Sequence, residues 1–227
     1  SVTNMFISST ECLTVPMSLL FTKQSDIDMP MMDDRKLSCN DGKVLVPLIC
    51  EDGETWYTTD GSEPSPTNGT LYSEPVALGE SCTLKARTFN GDKSSYTFEY
   101  PLLYLNASKA KVKKNGLSYS FYSDTPIRSI TSVSDLTPAR FKKKGVTAVP
   151  SLQQHEEKDW FGYVFTGWIK APVSGVYTFK LDTDDGSQLL LDDQMLIDSN
   201  YNKGNVVTTG YVYLEKGLHK FCLPYFE

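Results

Sequence analysis

Apolar and polar side chains alternate most cleanly between Gly175 and Asp198, in GVYTFKLDTDDGSQLLLDDQMLID. Tyr177, Phe179 and Leu181 fall on one side of an extended chain, and Thr178, Lys180 and Asp182 on the other. That period of two predicts a strand with one buried face. Thr183-Asp184-Asp185-Gly186-Ser187 interrupts the pattern with small or acidic residues only. A second apolar run at Leu189–Leu191, a polar turn at Asp192-Asp193-Gln194 and a third run at Met195-Leu196-Ile197 predict a β-hairpin. The acidic pair at the mouth of these strands is either a turn device or an oxygen-rich site.

The same period recurs along most of the chain. Val44–Cys50 reads as a strand broken by Pro47, which predicts an edge or bulged strand. Thr55–Thr59 and Thr83–Phe89 are further strands, with a turn signal at Asp60-Gly61 between them. Leu117–Tyr122, Trp160–Ile169, Val206–Leu214 and Leu218–Phe226 continue the series. Around Pro138 the sequence predicts one helical turn, with Thr137 as cap and proline in the first position. Short strands separated by turns at this spacing predict an all-β chain, built of two antiparallel β-sandwich modules in tandem. The expected boundaries are an unassigned segment at 1–36, a module at 37–105, a lysine-bearing linker at 106–116 and a module at 117–227.

Composition agrees with β structure: aromatics reach 12%, with thirteen Tyr and eleven Phe. A formal charge of −6 offers no basic face for nucleic acid, so no nucleic-acid partner is expected. No apolar run approaches the ~20 residues of a membrane span. The chain begins at Ser1, which reads as a processed chain or a piece excised from a larger protein. Five cysteines at irregular spacing, with no CxxC pair, speak against zinc or redox chemistry; Cys50 and Cys82 read as buried thiols. Sequons occur at Asn68-Gly69-Thr70 and Asn106-Ala107-Ser108. The two histidines, His155 and His219, form no zincin motif, and no carboxylate spacing singles out an acid/base pair. Catalysis within these residues is not expected.

The stretch WYTTDGSEPSPTNGTLYSEPVAL followed by CTLKARTF resembles the fibronectin-III-like C-terminal module of chitobiase and β-hexosaminidase type proteins. That resemblance implies an accessory β-sandwich attached to secreted glycoside hydrolases, and thus a secreted, periplasmic or cell-surface location. The second half resembles a PA-fourteen domain, the β-sandwich named after the toxin component protective antigen. The residues that carry this are FGYVFTGWIKAPVSGVYTFKLDTDDGSQLLLDDQMLID, then Gly217-Leu218-His219, then Tyr225-Phe226-Glu227. In the sugar-binding adhesins of that family two consecutive aspartates hold a calcium ion that binds sugar hydroxyls. Asp184-Asp185 matches the pair by position, while the loop that completes the metal site, with the last strand, is expected beyond Glu227.

The candidate site is therefore Asp184 and Asp185 for calcium, and Asp184, Asp185, Tyr201, Asn202 and Trp160 for carbohydrate. Calcium takes six to eight oxygens, so the loop Asn200–Asn205 is expected to approach and add amide oxygens or sugar contacts. The structural alternative for the aspartates is hydrogen bonding within their own loop. Trp160 and Trp168, eight apart, are expected on one strand face; Trp168 and Trp56 read as core residues, and Asp60 as a turn former. The function this supports is a noncatalytic accessory region of a glycan-degrading enzyme, binding carbohydrate or positioning a catalytic domain. The alternatives are a calcium-dependent lectin fragment and a structural spacer.

Overall fold

The computed structural model describes residues 27–50, 53–112, 115–125, 127–152, 158–201 and 204–227. Of the unassigned segment 1–36, positions up to 26 lie outside the described residues. The chain is all-β, as expected, with only three short 3-10 turns among the described residues. The first half carries β1 (Met31–Met32), β2 (Ser38–Asn40), β3 (Lys43–Val46), β4 (Leu48–Ile49) and β5 (Glu54–Thr58). It continues with β6 (Thr70–Leu71), β7 (Val76–Leu78), β8 (Cys82–Asn90), β9 (Lys93–Ser94) and β10 (Phe98–Leu105). The second half adds β11 (Leu117–Ser123), β12 (Phe141–Thr147), β13 (Phe161–Ala171) and β14 (Gly175–Thr183). Then follow β15 (Gly186–Leu191), β16 (Gln194–Ser199), β17 (Val206–Leu214) and β18 (Gly217–Phe226).

Three main sheets form, ordered β2-β3-β7, β12-β11-β13-β18-β15-β16, and β14-β17-β10-β8-β5-β6. The last of these runs through both halves of the chain. Its seam is the parallel pair β10–β17, with Leu103 opposite Val212, Tyr104 opposite Tyr213 and Leu105 opposite Leu214. Because successive side chains on a strand point to opposite faces, each seam strand feeds two cores. Leu103, Leu105, Val212 and Leu214 pack in the C-terminal core with Phe121, Tyr163, Phe165 and Phe221. Leu102, Tyr104, Tyr211 and Tyr213 pack in the N-terminal core with Val44, Val46, Leu84 and Ala86. The Tyr104 and Tyr213 rings stack at 4.0 Å. Tyr211 also reaches back to the N-terminal segment, its hydroxyl donating to Asp34 at 2.9 Å.

The segment expected as a linker is held on the second half. Ser108 N donates to Leu218 O at 2.8 Å, and Ala107 N to a Glu215 carboxylate oxygen at 2.8 Å. Three local expectations are corrected. Strand β3 is the central strand of its sheet, not an edge; Pro47 lies just past it, and the chain crosses there to pair β4 with β1. Thr137 precedes a short helical turn with Pro138 in first position, but its side chain makes no capping hydrogen bond. Trp56 lies outside the N-terminal core cluster: it stands opposite Arg87, half-buried with its indole Nε1 covered, on the face turned away from Tyr57 and Ala86. The turn at Asp60 forms as expected, with Asp60 Oδ1 accepting from Ser62 N at 2.9 Å and Ser62 Oγ at 2.6 Å.

Tyr213 is 4% exposed, so Tyr213→Ala is expected to cost about 3–5 kcal/mol, the range for removing a buried aromatic ring. Because its strand serves both cores, urea denaturation followed by tryptophan fluorescence and by circular dichroism should give one coincident transition, shifted as a whole. Two separate transitions, with only one moved by the substitution, would contradict the shared seam.

Candidate functional site

The strand registers collect the sequence-predicted residues at one end of the C-terminal sandwich. The β14–β17 ladder ends with Thr183 opposite Val206, and the β15–β16 ladder with Ser187 opposite Ser199. The corner Asp184-Asp185, residues 200–201 after β16 and residues 204–205 before β17 therefore lie at the same end. Strand β18 ends there as well, with Phe226 opposite both Gly162 and Gly186. Reciprocal backbone bonds of 3.0 and 2.9 Å join Phe161 and Glu227, which places Trp160 beside the end of β18.

The corner is built to a tight tolerance. Asp185 takes a positive φ of 38°, and Asp184 Oδ1 accepts from Asp185 N at 3.2 Å. A Cβ at Gly186 would fall 2.0 Å from Phe226 Cε1, and Phe226 is fully buried, so only glycine fits. Asp182 and Asp184 are exposed and Asp185 is half-buried. The other acidic pair has a different task. Asp192 and Asp193, with φ of 49° and 64°, form the hairpin turn before β16. Asp192 accepts from Lys220 N at 2.7 Å and faces His219 Nδ1 at 2.7 Å, while His219 Nε2 meets Glu215 O at 2.8 Å. His219 is fully buried with both ring nitrogens engaged, so its role is to tie β18 to that turn.

Beside the acidic corner lies a cavity of about 570 Å³, lined among others by Leu152, Lys180, Asp182, Asp184, Tyr225 and Glu227. The Tyr225 hydroxyl donates to the Glu227 carboxylate. Burial raises the Glu227 pKa above its ordinary 4.5; the Tyr225 hydrogen bond works against this, and the charges of Asp184, Asp185 and Asp159 add to it. Burial, and then the neighbouring Glu227 carboxylate, push the Tyr225 hydroxyl upward too. Among the described residues no three His, Cys, Asp or Glu side chains are placed to hold a metal ion. Asp184 and Asp185 thus do not complete a calcium site with other acidic side chains described here.

Tyr201 is 53% exposed, its N–H bonded to Ser199 O at 3.1 Å. Asn202 lies outside the described residues. Asn200 is committed to scaffolding: its Oδ1 accepts from Val133 N at 2.8 Å and its Nδ2 donates to Ser132 Oγ at 3.1 Å. Trp160 is half-buried with a φ of 64°, and its carbonyl accepts from Asp124 N at 3.0 Å. It precedes β13, so the even spacing to Trp168 does not put both rings on one strand face. Trp168 itself is not a core residue, because Phe161, Tyr163 and Phe165 take the inward positions of β13 and Trp168 the outward parity. Sequence reasoning missed Glu227 and Tyr225 as lining groups. The triplet Tyr225-Phe226-Glu227 carried that signal: Phe226 packs on Gly186 on the face turned away from the C-terminal core, so by alternation Tyr225 and Glu227 fall on the opposite side, where they line the cavity.

Between pH 4.5 and the raised value, folded Glu227 keeps a proton that the unfolded chain has lost. Its contribution to stability is therefore present at low pH and lost as pH rises through that window. Glu227→Gln is expected to flatten this part of the profile and to raise the melting temperature at neutral pH, as read by calorimetry from pH 4 to 8. An unchanged slope would contradict the crowding of carboxylates at this end.

A family model described as PA14 domain matches residues 113–227, and one described as Fn3 associated matches residues 48–100. The match to the first half is at this level and not at that of the chitobiase-type module. A β-glucosidase from Kluyveromyces marxianus, solved in complex with glucose, aligns at a TM-score of 0.36 and 21% identity, over 48% of this chain and 14% of that one. Its selenomethionine-labelled structure gives 0.41 and 20%, over 52% and 16%. An anti-sigma factor domain-containing protein from Clostridium clariflavum gives 0.38 and 19%, over 86% and 65%. Scores this low carry no argument about function, and the chain spans less than a fifth of the β-glucosidase. No curated protein matches the chain. By the match over residues 113–227, just over half its length, the chain belongs to the PA14 domain family.

Proposed function

We propose that residues 27–227 form a noncatalytic accessory region of a secreted or cell-surface glycan-degrading enzyme, and that they bind carbohydrate at the acidic end of the PA14 sandwich. The observation that supports this reading is the convergence of Asp184, Asp185, Tyr201, Trp160 and Glu227 on one end, beside a cavity of about 570 Å³. Such a volume lies within the range of about 300–1,000 Å³ usual for ligand sites. Carboxylates accept from sugar hydroxyls, and the exposed Tyr201 ring offers a flat apolar face for a pyranose. No helix of the described residues is long and apolar enough to cross a membrane. The partners are a glycan and the catalytic domain of the parent enzyme; the shared seam holds the Fn3-associated half at a fixed orientation to the sugar-binding end.

A calcium-dependent lectin is the second reading, favoured by the carboxylates crowded around Glu227. In that case oxygens from the 200–205 loop and water must join Asp184 and Asp185, because calcium takes six to eight ligands. A glycan array probed with and without chelator separates the two readings. The accessory reading expects binding that Asp184→Ala with Asp185→Ala weakens at least tenfold, about 1.4 kcal/mol, with chelator making no difference. Chelator-sensitive binding makes the site a calcium-dependent one. Undiminished binding by the double variant overturns the assignment of this end.

A further inference from the structure

The six-stranded sheet has a second face, turned away from the C-terminal core, and the described residues cover only half of it. The excursion 124–140 lies over the half around Gly162, where a Cβ would fall 2.3 Å from Leu136 Cδ2, and buries Ile130 to 1% exposure. Its two ends are clasped: Asp124 Oδ2 accepts from Ser129 N at 3.0 Å, and Arg140 Nε pairs with Asp124 Oδ1 at 3.3 Å. Asn200 ties its middle to the end of β16 through Ser132 and Val133. The strap is therefore fixed over one half, and among the described residues the other half is left as a groove.

On the open half the registers set out a short platform. Thr166 and Trp168 follow each other on the outer face of β13. Ser118 stands opposite Thr166 on β11, Val146 opposite Ser118 on β12, and Lys220 opposite Trp168 on β18. Asn115 and Gly116 close the groove, whose volume is about 460 Å³. Gly116 holds a φ of 108°, and a Cβ there would meet Val146 Cγ1 at 2.9 Å. Trp168 belongs to neither core cluster, and Val146 is 71% exposed at the rim.

We propose that this groove is a second carbohydrate site, distinct from the acidic end and independent of it, and that it takes an uncharged glycan chain. A pyranose has an apolar face of axial C–H groups and a rim of hydroxyls. The groove's lining supplies both parts: the half-buried Trp168 indole, and the polar side chains of Ser118, Thr166, Asn115 and Lys220. Lys220 Nζ is paired with Asp193 at 2.7 and 2.8 Å, so its positive charge is balanced by a neighbouring carboxylate. That balance favours a neutral polyol over a polyanion, whose binding would fade with added salt.

The chain has three tryptophans, so Trp56→Phe with Trp160→Phe leaves Trp168 as the only indole reporter. This variant is titrated with soluble mixed-linkage β-glucan, xylan, galactomannan and glycol chitin, and the same polymers are cast into affinity gels. The expected result is a saturable blue shift with at least one of them, unchanged by added salt, and retention weakened about tenfold or more by Trp168→Ala. Thr166→Arg, which fills the groove from an exposed position, is expected to abolish the same response should the alanine variant fold poorly. Asp184→Ala with Asp185→Ala should leave the Trp168 response intact, which separates this site from the acidic end. A flat response to all four polymers overturns the proposal, as does retention that survives both Trp168→Ala and Thr166→Arg.

Discussion

Where strands β10 and β17 pair, at Leu103–Leu105 and Val212–Leu214, both of their faces are covered by core side chains, and most of the architecture follows from that. A strand in an ordinary sandwich gives one face to a core and the other to water. Here Leu103, Leu105, Val212 and Leu214 enter one core, and Leu102, Tyr104, Tyr211 and Tyr213 the other. The apolar area that stabilises each half is supplied partly by the other half, at about 25 cal/mol per Å² removed from water. The Fn3-associated part is small, so borrowing the wall formed by Val176, Tyr211 and Tyr213 is a physical means of completing its core. The same seam removes the freedom a flexible linker would give, and so sets the orientation of the PA14 part relative to the Fn3-associated part.

Alternation made the strands legible. Tyr177, Phe179 and Leu181 fall on one face of β14, as the period of two requires, and the hairpin turn sits at Asp192-Asp193. The seam was not legible. Tyr211–Leu214 reads as a short apolar run, and a run gives no hint that its two faces belong to different cores, or that its partner lies more than a hundred residues away. The tryptophans show the opposite failure. Trp56 and Trp168 were expected inside because large apolar residues in strands usually are. Parity decided otherwise, since Tyr57 and Tyr163 held the inward positions.

The end of the PA14 sandwich was half legible. The interruption at Asp184-Asp185 marked it, because acidic residues have no reason to break an alternating strand pair unless a corner or a ligand needs them. The role of Glu227 depends on β18 ending beside Gly186, which is a matter of register and not of sequence. Asp192-Asp193 is the instructive contrast. It is as acidic as the first pair, yet Lys220 and His219 account for it as a turn. What distinguishes Asp184-Asp185 is the cavity beside it and the carboxylates gathered around Glu227.

The central claim, that glycan is bound at this end, is tested most directly by titrating isotope-labelled protein with soluble oligosaccharides and following backbone amide shifts. The account expects saturable shifts at Asp184–Ser187, Trp160 and Tyr201 with at least one glycan. If those amides stay unmoved by every glycan while binding is detected elsewhere on the chain, the acidic end is a structural corner and the claim is wrong.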